Sequence, residues 1–246
     1  MAFETPWILL FLLLPLAAFL YASVGHGGAS SYLMLLALFG FAPAQIRPAA
    51  LILNMVVAGF AFLSYRKTCR FRHELFWPLV LFSIPAAFWG GTLTLDAGIY
   101  KKVLGLLLIF PVLRFLNLFP MATEITLRRK SWMAPLLGMT IGFMSGLIGI
   151  GGGIILSPVI LMAGWANIRE TAALSALFIF LNSAAGMMGA NPFETAISRE
   201  IWVLIPGTIL AGMLGAWFGA FRFPVKTLRY ILTVVLIFAS FKLLLS

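Results

Sequence analysis

Apolar residues run through this chain in long blocks, and short polar stretches punctuate them. Ten blocks stand out, at about 7–24, 29–41, 48–65, 75–93 and 102–119, then about 132–148, 154–163, 171–188, 201–221 and 225–245. A helix needs roughly 20 residues to cross about 30 Å of hydrocarbon. Most blocks reach or approach that length. The second and seventh fall short, and each follows a cluster of glycines. The order long, short, long, long, long therefore occurs twice, with a polar linker at 126–131 between the two runs. Blocks this long and uniform predict helices rather than the alternating strands of a barrel.

The glycine clusters repeat as well. SVGHGGASSY occupies 23–32, and GLIGIGGGIILSP occupies 146–158. Gly25, Gly27 and Gly28 recur 124 positions later as Gly149, Gly151 and Gly152, and Gly40 recurs as Gly164 at the same spacing. The Ile46–Arg47 pair meets Ile168–Arg169 at a slightly smaller offset. The expectation is an all-α, polytopic transmembrane helical bundle of two repeats, residues 1–120 and 121–246, with short or broken helices at the glycine motifs. It has eight full spans plus two short segments, or ten crossings if the short segments also cross.

Composition agrees. Hydrophobic residues make up 62% of the chain and charged residues 10%, against about 25% charged in an ordinary soluble domain. The net charge of +10 suggests a nucleic-acid partner until its distribution is read. The positive charges sit in short runs between apolar blocks, RKTCRFRH at 66–73, RRK at 128–130, and Arg222, Lys226 and Arg229. Short basic loops orient a protein in the cell membrane, with their side cytoplasmic. Membrane lipid is thus the expected partner and nucleic acid is not. Placing all three clusters on one side puts both termini outside and runs the halves in opposite senses. That makes the repeat inverted, an arrangement common among secondary transporters. Lys101 and Lys102 fall on the outer side and weaken the rule slightly.

Other classes drop out. The first 20 residues resemble a signal peptide but lack a basic start, so a first membrane helix is the better reading. The single cysteine, Cys69, permits no intrachain disulfide. Two histidines and no Cys/His spacing argue against a metal site. No P-loop is present for ATP hydrolysis, and no carboxylates pair for acid/base chemistry. An enzyme is not expected, nor a cofactor. A homodimer is compatible with the sequence, which does not fix the oligomeric state.

The glycines admit two readings. Small residues let membrane helices approach, and Gly138, Gly142 and Gly146 form such a face. Gly151, Gly152 and Gly153 in succession also weaken a helix and make turns cheap. A helix that restarts inside the bilayer offers unpaired N–H groups and its positive dipole end to an anion. The candidate substrate-binding residues are therefore Gly25, His26, Gly27, Gly28, Ser30 and Ser31 in the first motif, and Gly149, Gly151, Gly152 and Gly153 in the second. Asn54 and Asn182 either bond a neighbouring helix or line the anion path. His26 either is structural or donates to substrate or carries a proton. Arg47 and Arg169, placed near the starts of the third and eighth blocks, either clamp an anion or anchor at the interface. Arg114 is expected to snorkel to the cytoplasmic surface.

The chain resembles the sulfite exporter TauE/SafE family of membrane permeases, also called TSUP. The resemblance rests on the doubled motif, GHGG at 25–28 and GIGGGIILSPV at 149–159, and covers nearly the whole chain. The second copy is closer, with Pro158 and the later Thr171 and Ser175. The first has Ala29 and Tyr32 and lacks the proline. The resemblance implies a permease for sulfite, sulfoacetate or another organosulfonate or sulfur oxyanion, working by gradient-driven alternating access. The competing expectations are an anion channel or uniporter, and a structural membrane subunit whose glycines only pack helices.

Overall fold

The computed structural model describes residues 5–96, 98–99, 102, 133–191, 197–224 and 226. The expected fifth and tenth spans, Arg114, the cluster at 128–130 and the repeat boundary at 120/121 lie outside the described residues. Eight helices are present among them: α1 (Thr5–Ala22), α2 (Ala29–Leu38), α3 (Pro43–Tyr65), α4 (His73–Thr92), α5 (Met133–Ile148), α6 (Gly153–Met162), α7 (Ile168–Gly189) and α8 (Arg199–Phe221). Of these, α3, α4, α7 and α8 are long and apolar enough to span a membrane.

Local chemistry sets the helix starts. Pro43 opens α3, where a residue without an N–H loses nothing. The helix therefore begins before the block edge at 48, and Pro48 lies inside it. Asn167 caps α7 in a reciprocal capping box with Glu170, which moves that start ahead of 171. Arg47 and Thr171 accordingly sit inside the first turns of their helices.

The two repeats are inverted. The equivalent helices α3 and α7 run antiparallel. Leu51, early in α3, lies near Gly186, late in α7. At the other end the Cys69 thiol lies 3.5 Å from the Arg169 carbonyl oxygen. These two helices form the centre, with 61% of the most apolar window buried in each, against 44% in α4 and 39% in α8. Outside them, α4 packs on α5 and α1 packs on α8. Both pairs run parallel and both join opposite repeats. Gly138, Gly142 and Gly146 of α5 lie directly on the carbonyls of Leu79, Ser83 and Ala87. Gly215 and Gly219 of α8 lie likewise on Phe19 and Ser23. A side chain at any of these positions would push the helices apart, so here the packing reading of the glycines holds. Trp77, Leu81, Phe82 and Trp89 on α4 and Trp202, Leu210 and Leu214 on α8 face outward, as lipid contact requires.

The first short helix returns along α1. The hydroxyl of Tyr65, at the end of α3, donates to the Ser23 carbonyl at 2.6 Å, so α1 reaches the far level of α3. The chain then turns back. Phe41, just after α2, meets Trp7 in the first turn of α1 edge-on at 5.8 Å. The return path is therefore half extended turn and half helix.

Candidate functional site

Each short helix starts in mid-bundle from a glycine in the left-handed region. Gly28 (φ 94°) precedes α2 and Gly152 (φ 79°) precedes α6. An L side chain in that conformation costs about 1–2 kcal/mol, so glycine is what allows the chain to break and restart there. Residues 149–152 are buried and non-helical. The interruption expected from sequence is therefore present in both repeats.

The two turns meet at one point. A methyl carbon on Gly27 would fall 2.6 Å from Asn54 Oδ1 and 3.1 Å from Ile179 Cγ2. One on Gly151 would fall 2.7 Å from Asn54 Nδ2 and 2.8 Å from the same Ile179 Cγ2. Asn54 on α3 and Ile179 on α7 thus form the seat that both turns share. Asn54 also donates from Nδ2 to the Ile150 carbonyl at 3.3 Å, which fixes its amide with Oδ1 toward the first turn. Among the described residues, the N–H groups of Ala29, Ser30, Gly153 and Ile154 have no hydrogen-bond partner. These are the orphan donors of any helix start, here brought to the middle of a protein with no Asp, Glu, Lys or Arg in either turn.

The first turn satisfies its own carbonyls. Ser31 Oγ donates to Gly28 O at 2.6 Å and Tyr32 Oη to Gly27 O at 2.8 Å. His26 bonds from Nδ1 to Val24 O at 3.2 Å, so that nitrogen carries the hydrogen. The Ser30 hydroxyl lies beside that of Tyr21. The second turn has only isoleucines and glycines of its own, and its polar neighbours come from other helices. Ser183 Oγ would stand 3.1 Å from a methyl on Gly151, and Ser145 Cβ 3.5 Å from one on Gly152. Both hydroxyls are fully buried without a hydrogen-bond partner, as is Asn54 Oδ1.

The other candidates separate. Arg47 is buried, and its guanidinium donates to the carbonyls of Gly90 (3.2 Å), Gly91 and Leu93 (2.7 Å) at the end of α4. It satisfies that helix C-terminus and its negative dipole end, while its Cγ backs Gly149. Neither expectation for it, an anion clamp or an interface anchor, describes that bonding. On the opposite side Ala172, next to Thr171, backs Gly25. Arg47 therefore corresponds in space to Thr171–Ala172, not to the Arg169 with which the Ile-Arg pairs align it. Thr171 Oγ1 is buried without a partner. Ser175 shares a hydrogen bond with Ser157 at 2.7 Å, joining α7 to α6. Asn182 donates to Phe178 O of its own helix at 2.8 Å rather than to a neighbouring one. Arg169 is exposed, and its neighbour Glu170 pairs with Arg72 at 2.9 Å instead.

Sequence reasoning missed Ser145 and Ser183. Ser145 had a signal, lying four residues before Gly149 in the same run. Ser183 had none, because its place depends on how α7 meets the opposing turn. Outside the site, Cys69 in the loop after α3 lies near the carbonyls of Tyr65 and Arg169, and burial pushes its thiol up. Among the described residues no cluster of three His, Cys, Asp or Glu could hold a metal ion.

Comparison with known proteins agrees across the chain. The profile of the sulfite exporter TauE/SafE family matches residues 10–243. The probable membrane transporter protein y4hK of Sinorhizobium fredii is 35% identical over 232 residues, covering 92% of this chain and 94% of that protein. The probable membrane transporter protein YunE of Bacillus subtilis is 30% identical over 113 residues, 44% of this chain and 39% of that one. No solved structure matches.

Proposed function

The chain belongs to the sulfite exporter TauE/SafE family and is a membrane transporter of small molecules; on that premise we propose that its cargo is a small sulfur-containing anion, sulfite or an organosulfonate, held where the two glycine turns meet. The observation that carries this reading is the convergence of Gly27 and Gly151 on Asn54 and Ile179. It brings two helix starts, each with unpaired N–H donors, into one buried place without formal charge. Dipoles and N–H groups bind an anion there with moderate strength, which suits a carrier that must also release its cargo. Transport runs by gradient-driven alternating access, and the termini face outward with the basic loop at 66–73 in the cytoplasm.

A flux panel in proteoliposomes tests this. Sulfite, sulfate, thiosulfate, taurine and sulfoacetate are compared with and without a pH step. Saturable flux of at least one sulfur anion is expected, and failure of all five overturns the proposal. Flux that does not saturate or show counterflow assigns the chain to the channel class instead.

A further inference from the structure

Donors alone do not describe this site. The hydroxyls of Ser145 and Ser183 and the N–H groups of Gly153 and Ile154 all offer hydrogens, and all lie on the side of the second turn. Against them, at the seat both turns share, stands an amide oxygen that can only accept. Asn54 Oδ1 is fully buried, has no partner, and faces Gly27 at the shared seat. Its direction is fixed, because the amide nitrogen of the same side chain donates to Ile150 O. Of the neighbouring hydroxyls of the first turn, those of Ser31 and Tyr32 are committed to the Gly28 and Gly27 carbonyls and that of Ser30 lies beside Tyr21. A bare oxyanion has nothing to give a carbonyl-type oxygen, and bringing the two together is repulsive. A buried acceptor left without a donor weakens binding by the desolvation of that group.

We infer that Asn54 is a specificity-determining residue, and that the site takes a monoanionic sulfur oxyanion which itself carries one hydrogen-bond donor. The anionic oxygens face Ser145, Ser183 and the start of α6. The donor hydrogen of the ligand faces Asn54 Oδ1. Hydrogensulfite fits, as does a sulfonate bearing a hydroxyl group; a dianion or a plain alkanesulfonate does not. Sites that hydrogen-bond a substrate group discriminate strongly against the analogue lacking it, because a buried partner is then left unpaired. This inference rests on the anion-permease reading of the same site.

Two probes of equal charge and closely similar size isolate the point. Isethionate carries a terminal hydroxyl where propane-1-sulfonate carries a methyl group. Proteoliposomes of the full chain are expected to take up isethionate about tenfold faster than propane-1-sulfonate at equal concentration. In Asn54→Leu the ratio is expected to fall to about one, through loss of isethionate flux. A ratio within one preparation is independent of how much protein inserts, and the native chain alone tests the first expectation if the variant does not fold. Sulfite flux is expected to decline as pH rises through the second ionisation of sulfite. Equal uptake of both probes by the native chain, with sulfite still carried, overturns this inference and leaves the permease reading standing. Absence of flux for every sulfur anion overturns both.

Discussion

The two glycine turns follow the same backbone route and solve its polar problem in opposite ways. In the first, Ser31, Tyr32 and His26 bond to carbonyls within a few residues of themselves. The turn closes on its own side chains. In the second, Ile150 and Ile154 replace polar residues, and the only side chain from another helix that bonds the turn among the described residues is Asn54 of the opposite repeat. Ser145 and Ser183 stand beside it unused. The shared element is a left-handed glycine and a helix start with unpaired N–H groups; what differs is whether the side chains around it bond the turn's own carbonyls or stand without a partner.

The largest expected effect tests whether either turn differs from the glycine stripe between α4 and α5. Gly146→Val would drive side-chain carbon into the Ala87 carbonyl, an overpacking cost of about 3 kcal/mol. Lost abundance and a lowered melting temperature are the expected outcome, read by thermal aggregation in detergent. At the second turn, Gly152→Ala places a carbon 2.8 Å from Ile141 Cγ2 and 2.9 Å from Phe178 Cε1, at φ 79°. Backbone strain of about 1–2 kcal/mol is expected to cut anion flux by at least about tenfold while abundance persists. If abundance collapses instead, the turn is packing and nothing more.

Single hydroxyls sharpen the contrast. Ser183→Ala removes a donor without a protein partner, so flux is expected to drop about tenfold, the worth of one hydrogen bond to a charged group, with no loss of thermal stability. Tyr32→Phe should do the reverse. It leaves the Gly27 carbonyl unserved and lowers stability by about 1 kcal/mol, while the preference among anions is kept. The smallest effect lies away from both turns. The Cys69 thiol is raised by burial, so less of it is thiolate at any given pH near 8. Maleimide labelling there should run a few-fold slower than at an ordinary exposed cysteine, and should accelerate as pH rises.

Much of this was legible beforehand because it is written along single helices. The 124-residue spacing of the motifs reappears in the short helices themselves, Ala29–Leu38 and Gly153–Met162. The stripe at Gly138, Gly142 and Gly146 showed a packing face without naming its partner. Contacts across the bundle were another matter. Arg47 reaches carbonyls more than 40 residues away, and no spacing rule announces that. The two Ile-Arg pairs even misled, aligning residues that do not occupy equivalent places. Asn54 and Asn182 looked alike in sequence, yet one bonds the opposing turn and the other its own helix. Which asparagine matters is decided by how α3 and α7 cross, a property of the pair and not of either strand of sequence.

The parallel seams α1–α8 and α4–α5 have a mechanical consequence. Each stitches the broken-helix hairpin of one repeat to the fourth helix of the other, with glycine backbone resting on backbone carbonyls at Gly215 and Gly219 and at Gly138, Gly142 and Gly146. Among the described residues neither repeat is therefore a free-standing unit. Each leans a glycine-lined face on a helix of the other, so fragments separated between the repeats would leave both seams uncovered.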